Sequence, residues 1–299
     1  MLDYPQLQAL VAVHRRGSFD LAAAELGLTP SAVSQRIKAL EDRVGALLIR
    51  RAQPCTATET GLRLIQHFDQ VMLLEAALPL PDPAPTTVRI AVNADSLATW
   101  VIPALAAVPE LLFDIVIDDQ DVSHDWLRRG EVAGAITAHP GPLQGCDTIP
   151  LGRLRYLATA SPDYVARWLP DGVSRDAMSR APALTFSDKD RLQEDWLRQN
   201  VGTGIAFPTH RLASSQAFVD GALAGLGWGM NPLPLVTSQM QAGALVELVP
   251  GTPLDVPLHW QFARRTAPAL AGLTRALQMA AVGTLLAPEK KKPPPKRGP

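Results

Sequence analysis

The sequence predicts an α/β protein in which a mostly helical amino-terminal quarter precedes two small α/β subdomains. Residues 5–78 carry the i, i+3, i+4, i+7 apolar spacing of amphipathic helices. Residues 79–85 are rich in proline, and predicted strands alternate with helices from Thr87 onward. A chain of 299 residues is also longer than one ordinary core needs, which favours several units.

The composition is that of a folded protein with almost no net charge. Hydrophobic residues make up 47% of the chain, charged residues make up 19%, and the formal net charge is −1. A histone-like positive coat is therefore excluded, and any contact with nucleic acid needs a local patch. Two cysteines, Cys55 and Cys146, exclude a disulfide framework and a four-cysteine zinc site. No secretory leader and no run of about 18 apolar residues occurs, so we expect a cytoplasmic protein without membrane contact.

Residues 1–58 are expected to form a helical domain with a two-stranded wing. Gly17 ends the first helix, and Ser18 caps the second, from residue 19 to 26. Thr29 caps the third helix, and Pro30 stands in its first turn, where the missing N–H has no cost. The wing is predicted from residues 46–50 and 56–58.

A long helix is predicted from residue 59 to 78. Its apolar positions recur about every 3.5 residues, which is the seam of a paired helix. The predicted dimerisation residues are Leu64, Phe68, Val71 and Leu78. We assign residues 59–86 to a linker helix followed by a stiff proline-rich hinge. The alternative is a helix that packs only on its own domain.

Residues 87–287 alternate between strands and helices, which predicts parallel sheets with helices on their faces. Two subdomains of ordinary size would enclose a cleft, the usual place for a small ligand. Strands are expected at 88–92, 113–117, 132–136, 154–159, 183–186, 211–213 and 228–230, and early helices at 96–107 and 122–129. Residues 288–299 form a basic tail that we expect to be disordered, either solubilising or touching DNA phosphates without specificity.

The third predicted helix carries a polar stripe suited to nucleic acid. At about 100° per residue, Val33, Ile37 and Leu40 face the core, and the stripe faces away from it. A major groove about 12 Å wide admits one helix, and Gln35 can pair bidentately with adenine. Residues 31–63 hold six basic and three acidic side chains, a local charge of +3. The predicted DNA-binding residues are Ser18, Thr29, Pro30, Ser31, Ser34, Gln35, Arg36, Lys38, Arg50 and Arg51. The alternative is a packing module with a solvated face.

The amino-terminal segment resembles the signature of LysR-type transcriptional regulators. The resemblance rests on residues 17–26, GSFDLAAAEL, and residues 29–41, TPSAVSQRIKALE. Residues 31–38, 93–100, 128–135 and 214–219 are similar to the ArgP/LysG branch, which controls basic amino-acid exporters. Gln216 departs from this pattern, because an acidic residue is expected there. The similarity runs through nearly the whole chain, and only the basic tail looks like an addition.

The resemblance implies a winged helix-turn-helix joined to two Rossmann-like subdomains of the periplasmic-binding-protein type. It implies a homodimer, or a homotetramer, on double-stranded promoter DNA, with RNA polymerase as a further candidate partner. Lysine or arginine is the implied effector, and activation of an exporter gene is the implied outcome. The alternatives are a regulator with a different small-molecule effector and an architectural DNA-binding protein without one.

An amino-acid ligand needs an anion site and cation sites, and the predicted strand ends supply both. The Ser96 hydroxyl at a helix start suits a carboxylate, and Asp118 and Asp119 favour a cation. The alternatives are an ordinary helix start for Ser96 and a solvated strand end for the two aspartates. The candidate effector-binding residues are Asn93, Asp95, Ser96, Asp118, Asp119, Thr137, Ser214 and Ser215.

Other classes of protein lack a supporting pattern. The histidines are scattered without a metal-binding pair, and no Gly-x-Ser-x-Gly elbow occurs. We therefore expect no enzymatic activity, no catalytic residues, no cofactor and no metal. A stand-alone solute-binding protein would match the last two-thirds of the chain but would leave the helix-turn-helix unexplained.

Overall fold

The computed structural model describes residues 2–76, 78, 86–117 and 123–288, with only the backbone at 123–125. The predicted hinge at 79–85, the candidate residues Asp118 and Asp119, and the basic tail beyond residue 288 lie outside these ranges.

The first domain, here called the head, is the predicted winged helix-turn-helix. Three helices and a two-stranded antiparallel wing form it: α1 (Tyr4–Arg16), α2 (Phe19–Leu26), α3 (Pro30–Val44), β1 (Ile49–Arg50) and β2 (Thr56–Ala57). Gly17, Gly27 and Gly45 end the three helices with φ values of 68°, 64° and 74°. Glycine adopts this left-handed conformation without a Cβ penalty, and each helix therefore stops where the sequence predicted.

Helix α4 (Glu59–Ala76) joins the head to the second domain and ends two residues before the predicted position. Ile65 is buried in the core of the head, together with Val33 and Ile37. Two turns later, Leu73 is 3% exposed and belongs to the core of the second domain, beside Val88. One helix therefore carries apolar contacts to both domains.

The second domain, here called the effector domain, contains the alternating elements that the sequence predicts. Helix α5 (Ala94–Ser96) continues through a π-helical turn (Leu97–Val101) into α6 (Ile102–Ala106), so this helix begins earlier than expected. The strands are β3 (Thr86–Val92), β4 (Leu111–Ile117), β5 (Gly134–Thr137), β6 (Cys146–Ala160), β7 (Ala183–Thr185), β8 (Thr209–Arg211), β9 (Gly229–Pro232), β10 (Val246–Glu247) and β11 (Leu254–Ala263). The remaining helices are α7 (Ser123–Arg128), α8 (Pro162–Trp168), α9 (Arg175–Arg180), α10 (Leu192–Asn200), α11 (Ser215–Leu223), α12 (Leu233–Gln241) and α13 (Ala271–Thr284).

The main sheet is mixed, whereas the alternation of elements predicted parallel strands throughout. Strand β3 pairs in parallel with β4 and β5, but β11 runs antiparallel to both β5 and β6. Because β6 has 15 residues and also pairs with β9, the two antiparallel strands extend from the first subdomain (β3–β5) to the second (β7–β9). The prediction placed only residues 154–159 in a strand, since the first half of β6 lacks continuous hydrophobicity.

Large aromatic side chains fill the core of the effector domain. Trp100, Trp196, Trp228 and Trp260 are each at most 1% exposed. Trp260 lies against Gly134 of the neighbouring strand, where a Cβ atom would overlap the indole ring. Among the described helices, none combines the length and the apolar character that spanning a bilayer requires.

Replacing Gly134 by alanine tests this packing. We expect Gly134→Ala to lower the free energy of unfolding by about 1–3 kcal/mol, because the added methyl group must displace a fully buried indole. Gly283→Ala is the matched control, since its Cβ would enter open space on α13. That control should raise stability slightly, by about 0.5–1 kcal/mol. Urea denaturation measures both, and equal stabilities of the two variants would refute the packing argument.

Candidate DNA-binding and effector-binding sites

The orientation of α3 in the head is fixed by its caps and by its apolar face. The Thr29 side chain accepts a hydrogen bond from the Ala32 N–H at 3.2 Å. Val33, Ile37 and Leu40 are 0%, 1% and 0% exposed within the core of the head. With this face buried, the opposite face of α3 is turned to solvent.

The predicted DNA-reading stripe lies on that outward face. Ser31, Gln35 and Lys38 are exposed, while Ser34 and Arg36 are half-buried on the flank. The Ser31 hydroxyl lies 3.0 Å from that of Thr29, at the start of the helix. Ser18 caps α2 by accepting a hydrogen bond from the Asp20 N–H, which fixes the start of α2 after the first helix. The arrangement presents hydrogen-bonding side chains on a protruding helix, as major-groove recognition requires.

The wing places two cations beside the same face. Glu41 of α3 accepts a hydrogen bond from the Leu48 N–H at 2.8 Å, which holds the wing against the helix. Arg50 is exposed at the end of β1. The Arg51 guanidinium stacks over the Phe19 ring at 5.1 Å, and its Nη2 lies 3.5 Å from the Ser34 hydroxyl. Arg51 therefore supports the reading face from the side.

A cavity of about 270 Å³ lies between the two subdomains of the effector domain. The first subdomain contributes Asn93 and Asp95, which follow β3, and the second contributes Asp190, Ser215 and a loop before α10. Its acidic lining residues are Asp95, Asp190, Asp195 and Asp255, and its basic ones are Lys189 and Arg191. The cavity therefore offers carboxylates that a cationic ligand group could meet.

Two hydroxyl groups donate hydrogen bonds to the Asp95 carboxylate. Its Oδ1 accepts a hydrogen bond from the Ser215 hydroxyl at 2.7 Å, and its Oδ2 accepts one from the Tyr156 phenol at 2.8 Å. Burial, followed by the charge of Asp95, raises the pKa of Tyr156 well above its ordinary value, so the phenol stays a neutral donor. Asp195 and Asp255, by contrast, are paired with Arg198 and Arg155.

Asp255 already forms an ion pair with an arginine of the protein. Arg155 donates to both of its oxygens, at 2.8 and 2.9 Å. The hydrogen bonds from Arg155 hold the pKa of Asp255 below its usual value. Asp190 has a structural role as well, because its carboxylate accepts the N–H groups of Phe186 and Leu192.

The structure brings together only some of the predicted effector-binding residues. Asn93, Asp95 and Ser215 line the cavity. Ser96 and Thr137 are both 0% exposed, and Thr137 accepts a hydrogen bond from the His139 N–H behind the cavity wall. Ser214 caps α11 by accepting a hydrogen bond from the Ala217 N–H. The anion site predicted at Ser96 therefore lies in the core rather than on the surface of the cavity.

The sequence argument missed Tyr156, Asp190 and Asp255. No local signal marks them: Tyr156 stands in a strand with alternating burial, and its partner Asp95 is 61 residues away. Gln216, the departure from the family pattern, donates a hydrogen bond to Asp220 on the exposed side of α11. It is not among the residues that line the cavity.

The predicted dimerisation residues differ in their exposure along α4. Leu64 and Phe68 pack partly against the core of their own head, with Phe68 edge-on to Tyr4 at 6.2 Å. Val71 is half-buried, and Leu78 is 53% exposed. Leu74, one turn after Val71, is 41% exposed and was not predicted. The apolar surface left uncovered therefore lies toward the end of the linker helix.

Metal-ligating side chains are not clustered among the residues that the structure describes. In the part of the chain that the structure describes, no group of three or more His, Cys, Asp or Glu side chains is arranged to hold a metal ion. Both cysteines are buried and unpaired.

The reading face gives a direct prediction for DNA affinity. Lys38→Ala and Arg36→Ala should each weaken binding to a promoter fragment by about 1 kcal/mol or more. Each should also reduce the slope of affinity against salt by about one, because a phosphate contact is lost. Arg180→Ala, on the exposed helix α9, is the charge-matched control and should change neither quantity. Fluorescence anisotropy at several salt concentrations measures both; wild-type affinity and slope in the α3 variants would remove them from the interface.

Two family models match most of the chain. The model described as "LysR substrate binding domain" matches residues 81–281, and that described as "Bacterial regulatory helix-turn-helix protein, lysR family" matches residues 4–62. The HTH-type transcriptional regulator LysG of Mycobacterium bovis is 42% identical over 298 residues, which cover 98% of each chain.

Two solved structures are similar over nearly the full length. The crystal structure of ArgP from Mycobacterium tuberculosis has a TM-score of 0.78 and 41% sequence identity, and covers 96% of this chain and 100% of that one. Full-length LysG from Corynebacterium glutamicum with bound effector Arg has a TM-score of 0.66 and 33% identity, and covers 95% and 100%. The named relatives are transcriptional regulators rather than enzymes. The chain therefore belongs to the LysR family of DNA-binding transcriptional regulators.

Proposed function

We propose that this regulator senses a basic amino acid, lysine or arginine, and activates the gene of a basic amino-acid exporter in response. The observation that carries the proposal is the Asp95 carboxylate, which lines a cavity rich in acids and is held by two neutral hydroxyls. Carboxylates form strong, charge-assisted hydrogen bonds with ammonium and guanidinium groups, so a cationic ligand group suits this position. The similar LysG structure that holds Arg supports the same ligand class.

The proposed response depends on the cavity lying between two subdomains. A ligand that contacts Asp95 of the first subdomain and the loop of the second changes the angle at which the two are most stable. Leu73 of the linker helix is buried in the effector domain, and Ile65 of the same helix is buried in the head. A change in the effector domain is therefore transmitted to the paired DNA-binding heads through the packed side chains of this helix.

The reading of DNA is proposed to involve a homodimer, or a tetramer built from dimers. Two heads related by symmetry would read half-sites about one helical turn apart, or multiples of it. The exposed leucines at the end of α4 are the apolar surface that such pairing would cover. RNA polymerase is the partner that activation would require.

Two other functions make different predictions for the cavity. A regulator with a different effector would bind neither lysine nor arginine but would bind some other small molecule. An architectural DNA-binding protein would bind no ligand there, and its melting temperature would not change with added amino acids. The similar LysG structure that holds Arg favours the basic amino acid over both.

Calorimetric titration with lysine, arginine and histidine tests the ligand. We expect binding of lysine or arginine, and Asp95→Asn should weaken it at least about tenfold, since a hydrogen bond to a charged group contributes roughly 1.5–3 kcal/mol. Asp163→Asn, at the start of α8 and away from the cavity residues, is the control and should bind like the wild type. Equal affinity of Asp95→Asn and the wild type would show that Asp95 does not read the ligand.

The oligomeric seam is tested at the exposed leucine. Leu74→Glu should shift the protein toward the monomer, because two carboxylates would face each other across the paired helices. Leu226→Glu, at a similarly exposed leucine of the effector domain, is the control. Sedimentation velocity measures both, and an unchanged distribution for Leu74→Glu would reject pairing through α4.

A further inference from the structure

Tyr156 is a buried polar residue behind the cavity carboxylate of Asp95. It lies on β6, one of the two strands that run from one subdomain to the other, and its side chain is 0% exposed. Its hydroxyl donates to Asp95 Oδ2 at 2.8 Å. A buried phenol needs a partner for its O–H, and here the partner is a carboxylate of the cavity.

The Asp95 carboxylate is held from two directions. Tyr156 binds one oxygen from the connecting strand, and the Ser215 hydroxyl binds the other from the second subdomain, at 2.7 Å. Together these bonds fix the rotation of the carboxylate plane about the Cβ–Cγ bond. Each carboxylate oxygen accepts up to two hydrogen bonds, so a bond from Tyr156 does not prevent one from a ligand.

The phenol is a neutral donor to its partner. The hydroxyl remains protonated, because burial and the adjacent negative charge both disfavour phenolate. Tyr156 therefore favours the orientation of the carboxylate that a cation must meet.

We propose that Tyr156 is a positioning residue for cation recognition, acting through Asp95 rather than by touching the ligand. The proposal rests on the proposed function, because it assumes that Asp95 receives the cationic group of a basic amino acid. It adds that the strand joining the subdomains contributes to the affinity through the hydrogen bond from Tyr156 to Asp95.

Tyr156→Phe removes the donor and leaves the ring in place. We expect the dissociation constant for arginine and lysine to rise about 10- to 100-fold at pH 8, as for a lost hydrogen bond to a charged group. Tyr164→Phe is the matched control, because its buried hydroxyl bonds to the Pro182 carbonyl at 2.7 Å and does not line the cavity. It should keep wild-type affinity.

A double-variant cycle tests whether Tyr156 acts through Asp95. In the Asp95→Asn background, Tyr156→Phe should have little additional effect on affinity, whereas independent roles would give additive losses. Circular dichroism and thermal melting establish that each variant is folded. If the phenylalanine variant is unstable, Tyr156→4-fluorophenylalanine fills the volume without restoring a donor and should show the same loss.

The outcomes distinguish a failure of the proposed ligand from a failure of the role assigned to Tyr156. A wild-type protein that releases no heat with lysine or arginine overturns the proposed ligand, and this inference with it. Wild-type binding together with unchanged affinity in Tyr156→Phe overturns the inference alone. Additive losses in the cycle would show that Tyr156 acts independently of Asp95.

Discussion

The Asp95 carboxylate forms hydrogen bonds that link the two subdomains of the effector domain. Ser215 comes from the second subdomain and Tyr156 from the strand between them, and both donate to it. A carboxylate beside a cavity is costly unless it is hydrogen-bonded, and these two donors lower that cost. The contact between the subdomains and the proposed affinity for a cation therefore involve the same group.

In the head, helix α3 has an apolar face that packs on the core and an opposite face that carries the predicted DNA-binding side chains. Val33, Ile37 and Leu40 anchor α3, and the opposite side chains are turned outward as a consequence. Residues 31–63 carry a local charge of +3, while the whole chain is nearly neutral. Electrostatic attraction to DNA is therefore local, and it guides the reading helix rather than the effector domain toward the duplex.

Sequence reasoning predicted the head well because its determinants are local. Ser18, Thr29 and the three helix-ending glycines act on residues within one turn, so their positions can be read from the chain. The antiparallel course of β11 against β5 and β6 depends on pairs about 100 residues apart, which periodicity does not reveal. The same limit explains the cavity: Asp95 was identified from its strand end, but Tyr156 was not, and Ser96 turned inward because its helix begins two residues earlier than expected.

The most direct test of the account is a crystal structure of the full-length protein grown with arginine. We predict that a nitrogen of the ligand lies within hydrogen-bonding distance, about 2.7–3.2 Å, of the Asp95 carboxylate in the cavity between the subdomains. Arginine bound elsewhere, or bound in this cavity with its cationic groups away from Asp95, would contradict it.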